Sequence, residues 1–169
     1  MRLKLFTLIG ALFFTMTATA NASGTLVLET SKGEVRIAML ETLAPNHVAR
    51  IKELAKDGFY DGIIFHRVIP GFMAQTGDPT GTGMGGSGQN LTAEFSNYEY
   101  KSGTVGMARS MSPDSGDSQF FICFDGCGHL TGQYTVWGQV ESGMDVVDAI
   151  NVGEPPAEPD QIIKATVEE

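Results

Sequence analysis

Apolar and polar residues alternate through "TLVLET" (25–30) and "EVRIAML" (34–40), with Leu26 and Leu28 on one face of the first run and Val35, Ile37 and Met39 on one face of the second. A repeat of two marks a half-buried strand. The intervening "SKG" predicts a turn, so the domain is expected to open on a hairpin. The period then changes. In "APNHVARIKELAKDG" Val48, Ile51, Leu54 and Ala55 fall at helical spacing, Pro45 stands early and Asp57-Gly58 supplies a stop, which predicts one long amphipathic helix. Further strands are expected at 63–69, 72–76, 104–109, 119–124, 134–140 and 162–168, and a short second helix at 144–150. The pattern predicts a mainly β domain, an eight-stranded antiparallel closed barrel capped by two α-helices.

Ahead of the hairpin, "MRLKLFTLIGALFFTMTATANAS" has no such period: Arg2 and Lys4 precede an apolar run from Leu5 to Met16 and the small-residue triplet Ala20-Asn21-Ala22. This reads as a signal peptide over residues 1–22, cleaved before Ser23, because the apolar run is shorter than the roughly 20 residues that cross a bilayer. The mature chain, residues 23–169, is then one domain, free of the membrane after cleavage and placed in a periplasm, with secretion as the alternative. The whole chain carries 11 Lys and Arg against 20 Asp and Glu, and loss of Arg2 and Lys4 deepens that acidity. An acidic surface repels nucleic acid. The only cysteines, Cys123 and Cys127, are too few for a disulfide framework, and Cys123 lies in the apolar run "QFFICF", so both thiols are expected to be free.

Several chemistries are set aside on the residues themselves. "GTGMGG" (81–86) matches a dinucleotide-binding glycine pattern, but no apolar helical period follows it to present a helix N-terminus, so close backbone packing is the better account. "GDSQ" (116–119) offers Ser118 without an orienting acid or oxyanion hole in any recognisable spacing. His47, His66 and His129 are widely separated and lack ligand spacing, so no metal is expected; His47 reads as a surface or capping residue and His66 as a hydrogen-bonded structural one. A lipid-binding barrel is compatible with the phenylalanine-rich strands, but the two helices and an arginine inside an apolar motif argue against it.

What remains is Arg67 with Phe72, Met73 and Gln75, and later "MAR", "SQFFICF" and "HLTGQY". In their order, "FHRVIPGFMAQTGDPTGTG", "GMARSMSPDSGDSQFFI" and "YTVWGQV" resemble the cyclophilin family of peptidyl-prolyl cis-trans isomerases, from about Gly24 to Glu168. The resemblance implies a folding catalyst for exported, proline-containing polypeptides, without a cofactor and expected as a monomer. The chemistry agrees. Twisting an X-Pro amide breaks resonance against a barrier of ~18 to 20 kcal/mol but breaks no covalent bond. A donor aimed at the prolyl nitrogen, which becomes basic only in the twisted state, favours that state over both planar isomers.

By similarity, Arg67 is that donor, and Phe72, Met73, Phe121 and Leu130 form the pocket for the proline ring. Gln75 is expected to bond the peptide and orient Arg67, while Ala108, Arg109 and Gln119 match positions that contact the residues before proline. Three positions depart from the common pattern: His129 replaces tryptophan, Arg109 asparagine and Tyr134 histidine. Because that tryptophan contacts cyclosporin, binding of the drug is expected to be weak. Arg109 is expected to act mainly through its backbone, and Tyr134 keeps an aromatic wall with a polar tip. The alternative function is a proline-peptide chaperone or scaffold with little turnover.

Overall fold

A computed structural model describes residues 24–169; the leader assigned to 1–22 lies outside the described residues. The opening hairpin consists of β1 (Thr25–Thr30) and β2 (Gly33–Met39), paired in register from Thr25 opposite Ala38 to Thr30 opposite Gly33. Leu26, Leu28, Val35, Ile37 and Met39 are all fully buried, as their alternation requires. Helix α1 (Pro45–Lys56) follows and buries Val48, Ile51, Leu54 and Ala55. Its first turn has no side-chain cap of its own. Glu94 supplies one from a distant loop, accepting the N–H groups of Asn46 (3.1 Å) and His47 (3.0 Å) and bonding His47 Nδ1 at 2.6 Å. His47 is therefore buried at the start of the helix, not on the surface.

The remaining strands are β3 (Arg67–Ile69), β4 (Met73–Thr76), β5 (Thr104–Met107), β6 (Phe120–Cys123), β7 (Val136–Ser142) and β8 (Ile162–Glu168), with α2 (Met144–Asp148) between the last two. All pair antiparallel in one curled sheet of order β3-β4-β6-β5-β7-β2-β1-β8. Its outer strands do not form the continuous ladder of a closed barrel. The strand expected at 63–69 shortens to 67–69 because its first residues bond across the seam: Gly62 N–H to Ile162 O (2.7 Å), Ile162 N–H to Ile63 O (2.8 Å) and Phe65 N–H to Asp160 O (2.8 Å).

The period of two along β4 and β6 divides the interior in two. Phe120 and Ile122 join the main core, where Phe120 meets Trp137 edge-on at 5.3 Å and Tyr60 at 5.5 Å. Phe121, Cys123 and Met73 face the other way, into a smaller cluster with Tyr100, Leu130 and Val136. That cluster is the floor of the candidate site. Cys123 and Cys127 are bridged, which corrects the expectation of free thiols. After β6 the chain turns back so that their Cα atoms lie 6.0 Å apart, within the reach of a disulfide. The bridge ties the turn bearing Leu130 to the strand bearing Phe121.

Candidate active site: an arginine at the rim of an apolar pocket

Arg67 and Gln75 are cross-strand partners in the β3–β4 ladder, and Gln75 in turn opposes Phe121 on β6. Three neighbouring strands thus place a cation, an amide and an aromatic ring side by side. Phe72, Met73, Phe121 and Leu130 line a pocket of ≈ 120 Å³, closed by Ala108, Arg109 and Tyr134, with Arg67 and Gln75 on its edge. Met73 is 1% exposed and Phe121 4%. Phe121 is held from behind by Tyr100, stacked at 5.8 Å, and from the side by Tyr134, edge-on at 5.8 Å. Tyr100, absent from the motif, stiffens the pocket wall.

Gln119 lies beyond the apolar pocket, on the side expected for the residues before proline, and His129 lies elsewhere. Gln119 lines an adjoining pocket, where its Nε2 donates to Gly83 O (3.0 Å) and Gly85 O (2.8 Å) while its Oε1 accepts from Gln75 Nε2 at 2.9 Å. That bond uses one N–H of the Gln75 amide and leaves its Oε1 free; no hydrogen bond joins the Gln75 and Arg67 side chains among the described residues. His129 lies outside the pocket, exposed, with its ring 5.5 Å from the ring of Phe72. Arg109 is fixed by its side chain: Nε and Nη2 donate to Gln133 O at 3.2 and 2.9 Å, and the guanidinium covers the Tyr134 ring at 4.4 Å. It is a wall of the groove as well as a stretch of backbone.

The partner of Arg67 is one that sequence reasoning missed. Its Nε donates to Glu154 Oε1 at 2.6 Å, the only hydrogen bond of the Arg67 side chain among the described residues. The pair is open to solvent, with the Arg67 side chain 40% exposed and that of Glu154 55%. Nothing local in "NVGEPPAEP" announces the contact, because it depends on a backbone bridge between Gly153 and Val68.

His66, next to Arg67, is buried, and neither ring nitrogen meets a partner among the described residues, contrary to the expected hydrogen-bonded role. Burial lowers its pKa below the ordinary histidine value; the Asp78 charge opposes that shift and the Arg67 charge adds to it. The glycine-rich loop turns its amides toward carboxylates of its own chain. Asp78 accepts from the N–H groups of Thr80, Thr82, Gly83 and Gly85, and Asp117 from those of Ser87 and Gly88. Gly77, which opens that loop at φ +88°, packs so closely on Ser118 that no side chain fits.

The chain is similar to known proteins along most of its described length. Residues 25–167 match the family model described as cyclophilin type peptidyl-prolyl cis-trans isomerase. A "Probable peptidyl-prolyl cis-trans isomerase" of Brucella suis is 49% identical over 166 residues, covering 88% of this chain and 85% of its own. A peptidyl-prolyl cis-trans isomerase of Synechococcus elongatus is 45% identical over 130 residues, covering 76% and 89%. Among solved structures, a cyclophilin from Hirschia baltica superposes with TM-score 0.76 at 29% identity, over 84% of this chain and 73% of that one. A cyclophilin-type isomerase of Cryptosporidium parvum, determined in the presence of the dipeptide Ala-Pro, superposes with TM-score 0.80 at 26% identity, over 86% and 99%. With these relatives and an arginine poised over an apolar pocket, the chain belongs to the cyclophilin-type peptidyl-prolyl cis-trans isomerases and is a rotamase of X-Pro bonds.

Proposed function

We propose that the pocket beneath Arg67 holds the proline ring of an extended polypeptide, and that Arg67 is the catalytic donor to the twisting amide. The observation that carries this reading is the Arg67 guanidinium in the lining of a pocket whose floor is Met73, Phe121 and Leu130, with its two terminal nitrogens unengaged among the described residues, whereas all three nitrogens of the second lining arginine, Arg109, donate to backbone carbonyls. With Nε engaged by Glu154, the N–H groups of Nη1 and Nη2 remain for the substrate. Gln75, Ala108, Arg109 and Gln119 continue the groove toward the adjoining pocket, where residues before proline would lie. The Ala-Pro dipeptide present with the Cryptosporidium parvum relative supports a proline-containing ligand here.

NMR titration with a short X-Pro peptide should perturb Met73, Phe121 and Leu130 and show exchange cross-peaks between the cis and trans forms. Perturbation of a different face would refute the assignment of the groove. Cyclosporin, titrated in the same way, should perturb these residues only at much higher concentration than tryptophan-bearing relatives need, since imidazole at His129 offers less apolar area. Tight binding would show that His129 has been given the wrong role.

The clients are proteins exported to the periplasm, and the isomerase works as a monomer. The charged start, apolar run and Ala20-Asn21-Ala22 support export. A Cys123–Cys127 bridge suits an oxidising compartment. Intact mass of the protein recovered from producing cells should correspond to a chain beginning at Ser23, lighter than its reduced form by the hydrogens the bridge removes. A chain retaining Arg2 and Lys4 would end the export proposal, and a fully reduced mass would remove the bridge.

A further inference from the structure

We infer that Glu154 is a positioning residue for the isomerase reaction, holding the guanidinium of Arg67 edge-on before the substrate arrives; the inference rests on the assignment of Arg67 as donor. The contact is built from the backbone outward. Gly153 and Val68 exchange two hydrogen bonds, Val68 N–H to Gly153 O at 2.8 Å and Gly153 N–H to Val68 O at 3.0 Å. Glu154 follows Gly153 as Arg67 precedes Val68, so the bridge sets the two side chains beside each other.

The loop carrying Glu154 is closed on itself. Asn151 N–H donates to Asp160 Oδ2 at 2.8 Å and Asn151 Nδ2 to Glu158 O at 2.8 Å, while Ser31 ties Asp160 Oδ1 at 2.7 Å. Gly153 has φ +147°, and a side chain there would run into Pro156. Pro155 and Pro156 fix the chain direction immediately after the carboxylate.

The geometry separates the two edges of the guanidinium. Nε is taken by Glu154, at a solvent-open site where the pair is too weak to quench the charge. The other edge is left for the pocket. A free arginine carries much rotamer freedom, and fixing it in advance spares that cost in the transition state. Glu154 is not among the residues lining the pocket, so its effect should fall on turnover and not on capture.

The test is a double-mutant cycle on the full protein, with kcat and KM read for an X-Pro peptide. Glu154→Ala should lower kcat about two- to fivefold, the range of an exposed ion pair, with KM little changed and the unfolding midpoint preserved. Glu154→Gln should keep most of the rate, because its side-chain oxygen still accepts the Nε–H. Once Arg67 is replaced by Ala, Glu154→Ala should cost nothing further. A parent kcat for Glu154→Ala, equal losses with Gln and Ala, or the same loss in the Arg67→Ala background would each overturn the proposal. If Arg67→Ala alone keeps the parent rate, the assignment of Arg67 fails first and the role of Glu154 falls with it.

Discussion

Arg67→Ala is expected to lower kcat/KM by about two to three orders of magnitude, as loss of one preorganised donor does at comparable electrostatic sites. On the proposed reading Arg67 is the donor that responds to rehybridisation of the prolyl nitrogen, because its terminal nitrogens are unengaged among the described residues while those of Arg109 donate to backbone carbonyls. Peptide binding should fall much less, since Met73, Phe121 and Leu130 are untouched. Phe121→Ala should behave differently. It removes the ring sandwiched between Tyr100 and Tyr134, so it should raise KM as well as lower turnover, and should cost about 3 to 5 kcal/mol of stability. Exchange spectroscopy on an X-Pro peptide separates binding from turnover for both variants. An Arg67→Ala protein that isomerises at the parent rate would leave only a peptide-holding groove.

The second large effect is expected at Asp78, remote from the chemistry. Its carboxylate is 1% exposed and holds four backbone N–H groups and the Thr80 hydroxyl. Burial pushes its pKa up, but hydrogen bonds from the Thr80 side chain and from the backbone of Thr80, Gly85 and Gly83 outweigh that effect and hold it at about 2. A pKa held below the ordinary carboxylate value adds stability that is complete at neutral pH and is lost as pH falls from about 4 toward 2. Asp78→Ala leaves the same N–H groups orphaned at every pH, at a cost on the order of 3 kcal/mol, or a drop of about 10 °C in Tm. The difference between parent and variant should shrink in acid. Because Gly83 and Gly85 hold Gln119, and Gln119 holds Gln75, the variant should also raise KM. Parent-like unfolding of Asp78→Ala at pH 7 would show that the loop stands without its carboxylate.

The elements were legible where one physical signal dominated. The hairpin and α1 show their period, β5 and β6 are short strands buried at every position, and the motif around Arg67 gathers at one pocket because β3, β4 and β6 are neighbours. The losses occur where a contact depends on how distant backbone comes together. Residues 63–66 look like strand, yet bond across the seam to 160–162. Cys127 reads as a loop cysteine until the turn after β6 brings it back to Cys123. Glu154 has no periodicity or motif, and only the Gly153–Val68 bridge makes it a neighbour of Arg67. His129 carries the family spacing but lies outside on Phe72, since spacing says nothing about which side of a short turn a ring takes.

The place of β1 between β2 and β8 also governs how the protein is made. β1 leaves a ribosome more than 130 residues before β8, yet its outer edge is satisfied only by residues 162–168, with Thr25 opposite Glu168 and Thr30 opposite Ile162. At ordinary elongation rates of about 5 to 20 residues per second, that edge stays open for roughly 7 to 27 seconds. An unpaired strand edge is a template for joining another chain. A nascent chain of this protein must therefore be shielded or remain unfolded until β8 is synthesised, so this prolyl isomerase is itself a late folder.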